Sequence, residues 1–291
     1  MADRMKILIV YKKSFLESHG ADSKGLAQLG PADRDRLIKA DQENRRALGD
    51  LTAHLARQGV ASDAVSRGTL AARRRYDLVI SLGGDGTFFA AARYLKDTPI
   101  LGINSDPANS LGLWTCSDRA SFREPLERAL AGKLRPCRVH RLSVEINGKP
   151  AREQAFNDVL IAHKNPAAMT RYRLQVGSIA EEQRSSGLWI STAAGSTAGI
   201  RSAGGRRMPI SSKRLQYLVR EPYTWPERHY RLARGFVPGL ELQTLTVGLG
   251  LWIDGSRIRY DLNLGDRVTL RSGPPLLVLG YDDRRRRRLF P

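Results

Sequence analysis

Cysteine is scarce in this sequence, which has only Cys116 and Cys137 among its 291 residues. Two cysteines without a regular spacing exclude a disulfide framework and a cysteine-rich zinc site. The histidines show no ligand spacing either, so we predict no metal site built from protein side chains. Low cysteine use is typical of a reducing compartment, and we therefore expect a cytoplasmic protein.

Long apolar runs are also missing. None approaches the roughly 20 residues that a helix needs to cross a bilayer. Residues 1–10 lead directly into a predicted strand and lack the basic-then-apolar layout and cleavage site of a signal peptide. We expect a soluble protein with no membrane partner.

Acidic residues are the minority charge, with 29 Asp and Glu against 48 Lys and Arg and a formal net charge of +19. Basic chains of this kind usually bind polyanions, so nucleotides, inorganic polyphosphate and nucleic acid are all candidate partners. The hydrophobic share of 41% is large enough for a folded core.

Two basic segments bear on the choice among these polyanions. Residues 206–236 interleave cations with Tyr217, Tyr223, Trp225 and Tyr230, a pattern that single-stranded nucleic-acid binders also use. A subunit contact or a phosphate-attracting rim is the alternative that we favour. The five arginines at 284–288 are expected to form a solvated tail or a polyphosphate-attracting patch.

The chain is organised around a glycine turn. Residues 77–82 form a short apolar run that predicts a buried parallel strand, and Thr87 begins an apolar helical segment. Gly83, Gly84 and Gly86 lie between them. This order points backbone N–H groups and a helix N-terminus at an anion, which predicts a phosphate site. An ordinary tight turn is the alternative.

Asp85 is the unexpected member of that turn. A carboxylate in a phosphate site repels its ligand unless it holds a metal ion or takes a proton from an attacking hydroxyl. We therefore interpret Asp85 as a candidate catalytic residue.

The first part of the chain alternates strands with helices, which predicts an α/β domain with a parallel doubly wound sheet. Residues 12–33 are interpreted as a loop over a ligand. Ligands of such sheets bind beyond the carboxyl ends of the strands, where both Asp85 and Asn104 fall. The predicted strands are residues 6–11, 60–65, 77–82 and 98–104, and the predicted helices are 34–58 and the segment from 87.

The second part predicts a mostly antiparallel β domain. Apolar residues alternate before Asn147-Gly148, a strong hairpin signal, and residues 156–162 are predicted as the return strand. We expect an α/β nucleotide-binding domain at 1–120 and a β-rich substrate-binding domain at 121–291, with the ligand between them. Roughly the last 20 residues are expected to pack back on the first domain.

Two polar stretches of the second part are candidate ligand sites. Asn157-Asp158 interrupts an apolar strand, and a buried pair without hydrogen bonds would cost roughly 1–3 kcal/mol. Ribose hydroxyls would satisfy the pair, as would water at a strand end. The small residues at 191–205 suit a close-fitting polar groove, with a flexible linker as the alternative.

Gly83-Gly-Asp-Gly-Thr87 alone is shared by several kinase groups, including lipid kinases that act on diacylglycerol and sphingosine. Together with Asn157-Asp158 and the run from Thr192 to Gly205, in this order, it resembles the NAD kinase family. The resemblance covers about residues 76–270 and is closest to the branch that includes mitochondrial and plant NADH-preferring members. It implies a cytoplasmic homodimer that uses ATP with Mg²⁺, or polyphosphate, to convert NAD or NADH to NADP(H).

The resemblance also implies roles for single residues. Asp85 would be the general base that takes the proton of the adenosine-ribose 2′-hydroxyl. The other candidates would bind nucleotides: Gly83, Gly84, Gly86, Thr87, Asn104, Asn157, Asp158, Arg184, Thr192, Thr197, Ala198, Gly199, Ile200, Arg201 and Ser202. The sequence departs from the family at Ser186, where Asp is common, and at Gly199, where Tyr is common. Both positions bear on the preference between NAD and NADH.

Two alternative functions are a lipid kinase, which shares the glycine turn, and a basic nucleic-acid-binding protein. The first predicts an apolar pocket at the small-residue run. The second predicts binding that falls steeply with salt.

Overall fold

The computed structural model describes residues 5–20, 24–68, 75–224 and 229–290. Residues 1–4, part of the segment on which the signal-peptide prediction rests, and Trp225 of the basic segment lie outside these residues. The helices are α1 Phe15–His19, α2 Lys24–Ala27, α3 Pro31–Arg57, α4 Asp85–Ala92, α5 Arg123–Leu130, α6 Gly199–Ser202 and α7 Asp283–Leu289, with a short 3-10 helix at Gly195–Thr197.

The strands of the described part alternate with these helices in the first half of the chain and dominate the second. They are β1 Lys6–Tyr11, β2 Ala61–Ser66, β3 Leu78–Leu82, β4 Ile100–Asn104, β5 Ser117–Asp118, β6 Cys137–Ile146, β7 Lys149–Pro150, β8 Asp158–His163, β9 Thr170–Val176, β10 Ile179–Ser185, β11 Gly187–Ser191, β12 Leu215–Arg220, β13 Arg234–Val237, β14 Gly239–Thr244, β15 Leu249–Ile253, β16 Ile258–Leu262 and β17 Arg267–Leu279.

The chain divides into two compact units. The first comprises Met1–Cys137 and Leu276–Arg288, and the second comprises Arg138–Pro275 and Leu289–Pro291. Helix α5, which the sequence analysis assigned to the second domain, therefore belongs to the first unit. Strand β17 and helix α7 each contribute residues to both units.

The first unit contains the parallel sheet that the sequence predicts. Strands β2, β1, β3 and β4 are adjacent in that order, and the end of β17 pairs parallel to β4. All five residues of β3 and of β4 are buried. Helix α3 packs Leu51 and Leu55 into the same core as Ile9 and Ile80. The predicted α/β architecture is confirmed.

The second unit is built from antiparallel strands. One sheet has six strands in the order β13-β12-β11-β8-β15-β16, and another set runs β10-β9-β14-β17. Alternate residues of these strands form a shared core, for example Ile161 and Leu188 from the first set and Leu174 and Leu242 from the second. The predicted antiparallel domain is confirmed.

The predicted loop at 12–33 is wrong in part. Helix α1 forms because the Ser14 side chain accepts a hydrogen bond from the backbone N–H of Glu17, which caps its N-terminus. Helix α3 begins at Pro31, earlier than predicted, since proline is well tolerated at the first helical position.

The predicted return strand at 156–162 is wrong in its pairing. Asn147 and Gly148 do form the turn, with φ of 52° and 75°, but the strand that returns is the short β7. Contact with β6 continues past Pro150, since the Ala151 N–H donates to the Val144 carbonyl oxygen at 2.8 Å and Ala155 forms an antiparallel bridge with Leu142. Strand β8 instead pairs with β11 and β15 in the six-stranded sheet. Alternating apolar residues specify a strand but not its neighbour.

Among the described residues, no helix combines the length and apolar character needed to cross a membrane.

Candidate active site

The glycine turn of the first unit has a geometry that only glycine permits. Gly83 follows β3 with a φ of 153°, and a Cβ at this position would overlap the Thr87 hydroxyl. A Cβ at Gly84 would overlap the Ser110 side chain. Gly84 is the N-cap of α4, whose first backbone N–H groups have no partner within the helix. The backbone of the turn therefore packs closely against the Thr87 and Ser110 side chains.

The Thr87 hydroxyl is a buried polar group in this turn. Thr87 is 1% exposed, and its Oγ1 has no hydrogen-bond partner among the described residues. A buried hydroxyl without a partner is costly, and a phosphate oxygen or a water at the turn would satisfy it. Thr87 and the glycines are thus suited to phosphate, as the sequence predicts.

The Asp85 carboxylate has a defined orientation. Its Oδ2 accepts a hydrogen bond from the backbone N–H of Leu113 at 3.0 Å, and its Oδ1 accepts one from Trp114 at 2.9 Å. Asp85 itself is half-buried at the N-terminus of α4. Each oxygen keeps a further lone pair, so the carboxylate remains able to accept a proton or bind a cation.

Arg285 holds the loop that orients Asp85. Its Nη1 donates to the carbonyl oxygens of Gly112 at 2.8 Å and Thr115 at 3.1 Å, and its Nη2 donates to Leu111 at 2.6 Å. The loop is also anchored by the Trp114 ring, which stacks on Phe88 and Tyr281 at centroid distances of 5.8 and 5.0 Å.

Arg285 was not predicted as a site residue, because nothing in the run of five arginines distinguishes it from its neighbours. That run is not a solvated tail, since residues 283–289 form helix α7 and Arg286 is fully buried. The aromatic residues of the other basic segment are also partly engaged. Tyr217 lies in the core of the second unit, and the Tyr230 hydroxyl accepts a hydrogen bond from the backbone N–H of Arg184.

Asn104 lies at the carboxyl end of β4, as predicted, but its side chain is engaged in the loop that follows. Its Nδ2 donates to the Ser110 carbonyl oxygen at 3.1 Å, and its Oδ1 accepts from the backbone N–H of Asp106 at 3.1 Å. Gly112 has a φ of 57° and leaves no room for a Cβ beside the Asn104 amide. The contact of Asn104 with a nucleotide stays a prediction.

In the second unit, the Asn157-Asp158 backbone is held by a residue that the sequence analysis did not single out. Asp254 lies in the turn after β15, and its carboxylate accepts hydrogen bonds from the backbone N–H groups of Phe156, Asn157 and Asp158 at 2.9, 2.7 and 3.2 Å. The only local signal is an Asp-Gly turn, in which Asp254 has a φ of 47°. Such a turn predicts a hairpin and not a distant contact.

The Asp158 carboxyl group is buried next to Asp254. Only 7% of the residue is exposed. Burial, and secondarily the negative charge of Asp254, raises the pKa of Asp158 to about 7. Both causes disfavour the charged form, so this carboxyl group changes its protonation state near neutral pH.

The small-residue run packs directly on the Asn157-Asp158 segment. The Thr192 hydroxyl donates to the Phe156 carbonyl oxygen at 2.6 Å, and the Thr192 backbone N–H donates to the Asn157 carbonyl oxygen at 2.9 Å. A Cβ at Gly195 would overlap the Asn157 backbone. Because residues 192–196 are buried and hydrogen-bonded, the flexible-linker alternative is wrong.

The end of the run is more open. Thr197 and Ala198 are half-buried, Ile200 is buried, and Gly199, Arg201 and Ser202 are exposed on the short helix α6. Arg184 lies on β10, which pairs with β9 and is not a strand of the six-stranded sheet. The nucleotide contacts of all these residues stay predictions.

The described residues contain no group of three or more His, Cys, Asp or Glu side chains placed to hold a metal ion. Mg²⁺ in nucleotide sites usually keeps several waters and binds through one or two carboxylates and the substrate phosphates. Asp85, with lone pairs left on both oxygens beside a glycine turn, fits that requirement.

A buried strand, a glycine turn and a helix N-terminus with an oriented carboxylate form the arrangement that phosphate-binding α/β proteins use. A family model described as the ATP-NAD kinase N-terminal domain matches residues 37–134. The probable NADH kinase of Oryza sativa subsp. japonica is 35% identical over 226 residues, which cover 69% of this chain and 70% of that protein. The NADH kinase of Arabidopsis thaliana is 33% identical over 229 residues, with coverages of 70% and 72%. The chain belongs to the NAD kinase family.

Two solved structures share the fold. An NAD kinase from Archaeoglobus fulgidus in complex with ATP aligns with a TM-score of 0.69 and 21% identity over 98% of this chain and 97% of that one. Yeast NADH kinase complexed with NADH aligns with a TM-score of 0.68 and 15% identity over 99% and 86%. These likenesses support the two-part α/β and antiparallel β architecture.

Proposed function

We infer that the chain is an NAD(H) kinase, which phosphorylates NAD or NADH to NADP(H). Membership of the family and the similarity to two plant NADH kinases support this activity. The observation that carries the proposal is the Asp85 carboxylate, held by two backbone N–H groups inside a glycine turn.

In the proposed reaction, Asp85 takes the proton of the adenosine-ribose 2′-hydroxyl. The hydroxyl oxygen forms a bond to the γ-phosphorus of ATP, and the bond from that phosphorus to the β,γ-bridging oxygen breaks. ADP leaves with the electron pair. A general base contributes about 10²–10⁴-fold to such a step, and positioning supplies much of the rest.

The phosphates of ATP would bind at Gly83, Gly84, Gly86 and Thr87, where backbone N–H groups and an available hydroxyl support the assignment. When bound with ATP, Mg²⁺ neutralises charge that develops on the phosphates. Asp85 is the carboxylate of this turn that would reach such an ion.

The nucleoside would be bound by Asn157 and Asp158, with the run at 192–202 beside them. This assignment is supported by the hydrogen bonds that join Thr192 to the 156–157 backbone. That Asp85 faces this pair, and that Arg184 contributes a basic contact, stay predictions. So do the use of polyphosphate, the homodimer and the cytoplasmic location.

Measuring NADP(H) formation from NAD and NADH tests the proposal, with ATP or polyphosphate as the donor. The wild type should convert at least one acceptor, and Asp85→Ala should lose about 10²–10⁴-fold in kcat. Arg287→Met is a matched control on exposed α7 surface. If the wild type converted neither NAD nor NADH, the proposed kinase activity would be wrong. If Asp85→Ala kept full activity, only the role of Asp85 as general base would be wrong.

A further inference from the structure

The second unit has a cavity of about 700 Å³ on the six-stranded sheet, a volume typical of small-molecule sites. Leu160, Trp189 and Trp252 line it. Their neighbours along the strands, such as Ile161 and Ile190, point into the core, so these three lie on the opposite face. The cavity therefore has an apolar and aromatic lining on the outer face of the sheet.

Strand register places the two tryptophans on either side of one residue. Leu160 of β8 pairs with Trp189 of β11 on one side and with Trp252 of β15 on the other. Strands are spaced 4.7–4.9 Å apart, so the two tryptophan backbones are roughly 10 Å apart. Two indoles on one face of the sheet, on either side of Leu160, offer stacking surface to a flat ring.

Each indole also lies against a glycine. A Cβ at Gly199 would come within 3.3 Å of the Trp189 ring, and a Cβ at Gly250 would come within 2.6 Å of the Trp252 ring. Gly199 is the position at which the NAD kinase family commonly has tyrosine. Here the space beside it is taken by Trp189, so strand β11 supplies the aromatic surface in place of residue 199.

Polar groups of the cavity suit the rest of a nucleotide. Asp158, a candidate for binding ribose, is one of the lining residues. Lys164, Arg220 and Glu221 also line the cavity. The two cations are paired with exposed carboxylates, Lys164 with Asp261 at 2.9 Å and Arg220 with Glu221 at 3.8 Å. Such exposed pairs are weak, so a phosphate can compete for these cations.

We propose that Trp189 and Trp252 form an aromatic binding site for one planar ring of the dinucleotide, with a phosphate near Lys164 and Arg220. This inference rests on the proposed function, because it assigns the site to NAD(H). It makes the two tryptophans determinants of acceptor binding that are additional to Asn157 and Asp158.

Tryptophan emission overlaps the absorption of the dihydronicotinamide ring, so NADH serves as the probe. NADH should quench the emission of the wild type, and Trp189→Leu/Trp252→Leu should lose most of that quenching. Stacking on an aromatic side chain predicts a 5- to 150-fold rise in KM for NAD(H) in Trp189→Ala, an order-of-magnitude range. The KM for ATP should be unchanged. Phe236→Ala, which truncates an exposed aromatic outside the cavity, is the matched control.

A rescue variant separates ring binding from loss of structure. In Trp189→Ala/Gly199→Tyr, a tyrosine at 199 can occupy the space that the indole leaves, and the KM for NAD(H) should recover in part. Competition with ADP-ribose or with nicotinamide mononucleotide identifies the bound ring as adenine or nicotinamide, and either result supports the site.

Unchanged KM and unchanged quenching in active Trp189→Ala would overturn the proposal. The proposal would also be overturned if Trp189→Ala formed smaller particles than the wild type while its KM for NAD(H) stayed unchanged. The outer face of the six-stranded sheet would then join copies of the chain. A wild type that binds NADH with quenching but shows no phosphorylation would contradict the proposed function and leave the aromatic site in place.

Discussion

Two carboxylates, one in each unit, make the same kind of contact with opposite consequences. Asp85 accepts hydrogen bonds from two backbone N–H groups of a loop, and the loop thereby orients a candidate reactive group. Asp254 accepts hydrogen bonds from three backbone N–H groups and thereby orients the segment that carries Asn157 and Asp158.

The difference between the two lies in their surroundings. Asp85 is in a glycine turn at the N-terminus of α4, whereas Asp254 is in a hairpin turn and reaches back to another strand. A carboxylate bound to backbone amides is therefore not by itself a sign of catalysis. The comparison predicts that changes at Asp85 act on kcat and changes at Asp254 act on stability and acceptor binding.

The largest expected effect besides the loss of Asp85 is that of Asp254→Ala. Three partly buried backbone N–H groups would lose their acceptor, which should lower the free energy of unfolding by about 3 kcal/mol. The KM for NAD(H) should rise, because the segment carrying Asn157 and Asp158 loosens. Denaturant unfolding and acceptor kinetics measure these effects.

Asp254→Asn is the matched control for this prediction. Asparagine tolerates the positive φ of this turn and keeps one acceptor oxygen, so its effects should be smaller. If Asp254→Ala lowered kcat alone, with stability and KM intact, the proposed contrast between the two carboxylates would be wrong.

A smaller effect is expected from Arg285→Met. The loop at 111–115 would lose three hydrogen bonds to one guanidinium, and Asp85 would be less well oriented. Misplaced reacting groups lower the rate, so we expect about a tenfold fall in kcat with little change in the KM for NAD(H). Arg285→Lys should recover part of the rate.

Arg287→Met, on the same helix, is the control for Arg285. Arg287 pairs only with Asp283 among the described residues, at 2.6 Å, and its side chain is 67% exposed. An equal loss of rate in both variants would show that the number of charges on α7 matters and not the loop contact.

The last effect concerns pH. The pKa of Asp158 is raised by burial and by Asp254 to about 7, so the folded state favours the protonated form. The resulting stability is fully present below the unfolded pKa near 3.8 and is lost as pH rises through about 7. In Asp158→Asn, the free energy of unfolding should depend less on pH between roughly pH 4 and 8. An unchanged slope would contradict the raised pKa.

The KM for NAD(H) should respond in the same range. Protonated Asp158 can donate one hydrogen bond to a ribose oxygen, whereas the carboxylate only accepts. If the wild type lost stability near pH 7 while its KM for NAD(H) stayed constant there, the protonation of Asp158 would have no role in acceptor binding.

The sequence predicted the features that depend on neighbouring residues. The turn at Gly83 to Thr87 follows from glycines between an apolar strand and a helix, and the turn at Asn147-Gly148 follows from residues that tolerate positive φ. Both lie where they were predicted. The residues that support these sites were not predictable, because Arg285 and Leu111 are 174 positions apart and Asp254 and Phe156 are 98 apart.

Local conformation and the order of elements are thus properties of short stretches of this chain. Steric limits on φ, the spacing of apolar side chains and helix-capping residues act within a few positions. The partner of β8, the burial of Arg286 and the pairing of Trp189 with Trp252 across Leu160 were decided only by the tertiary structure. Such contacts depend on which strands and loops meet after chain closure, and no short-range pattern specifies that choice.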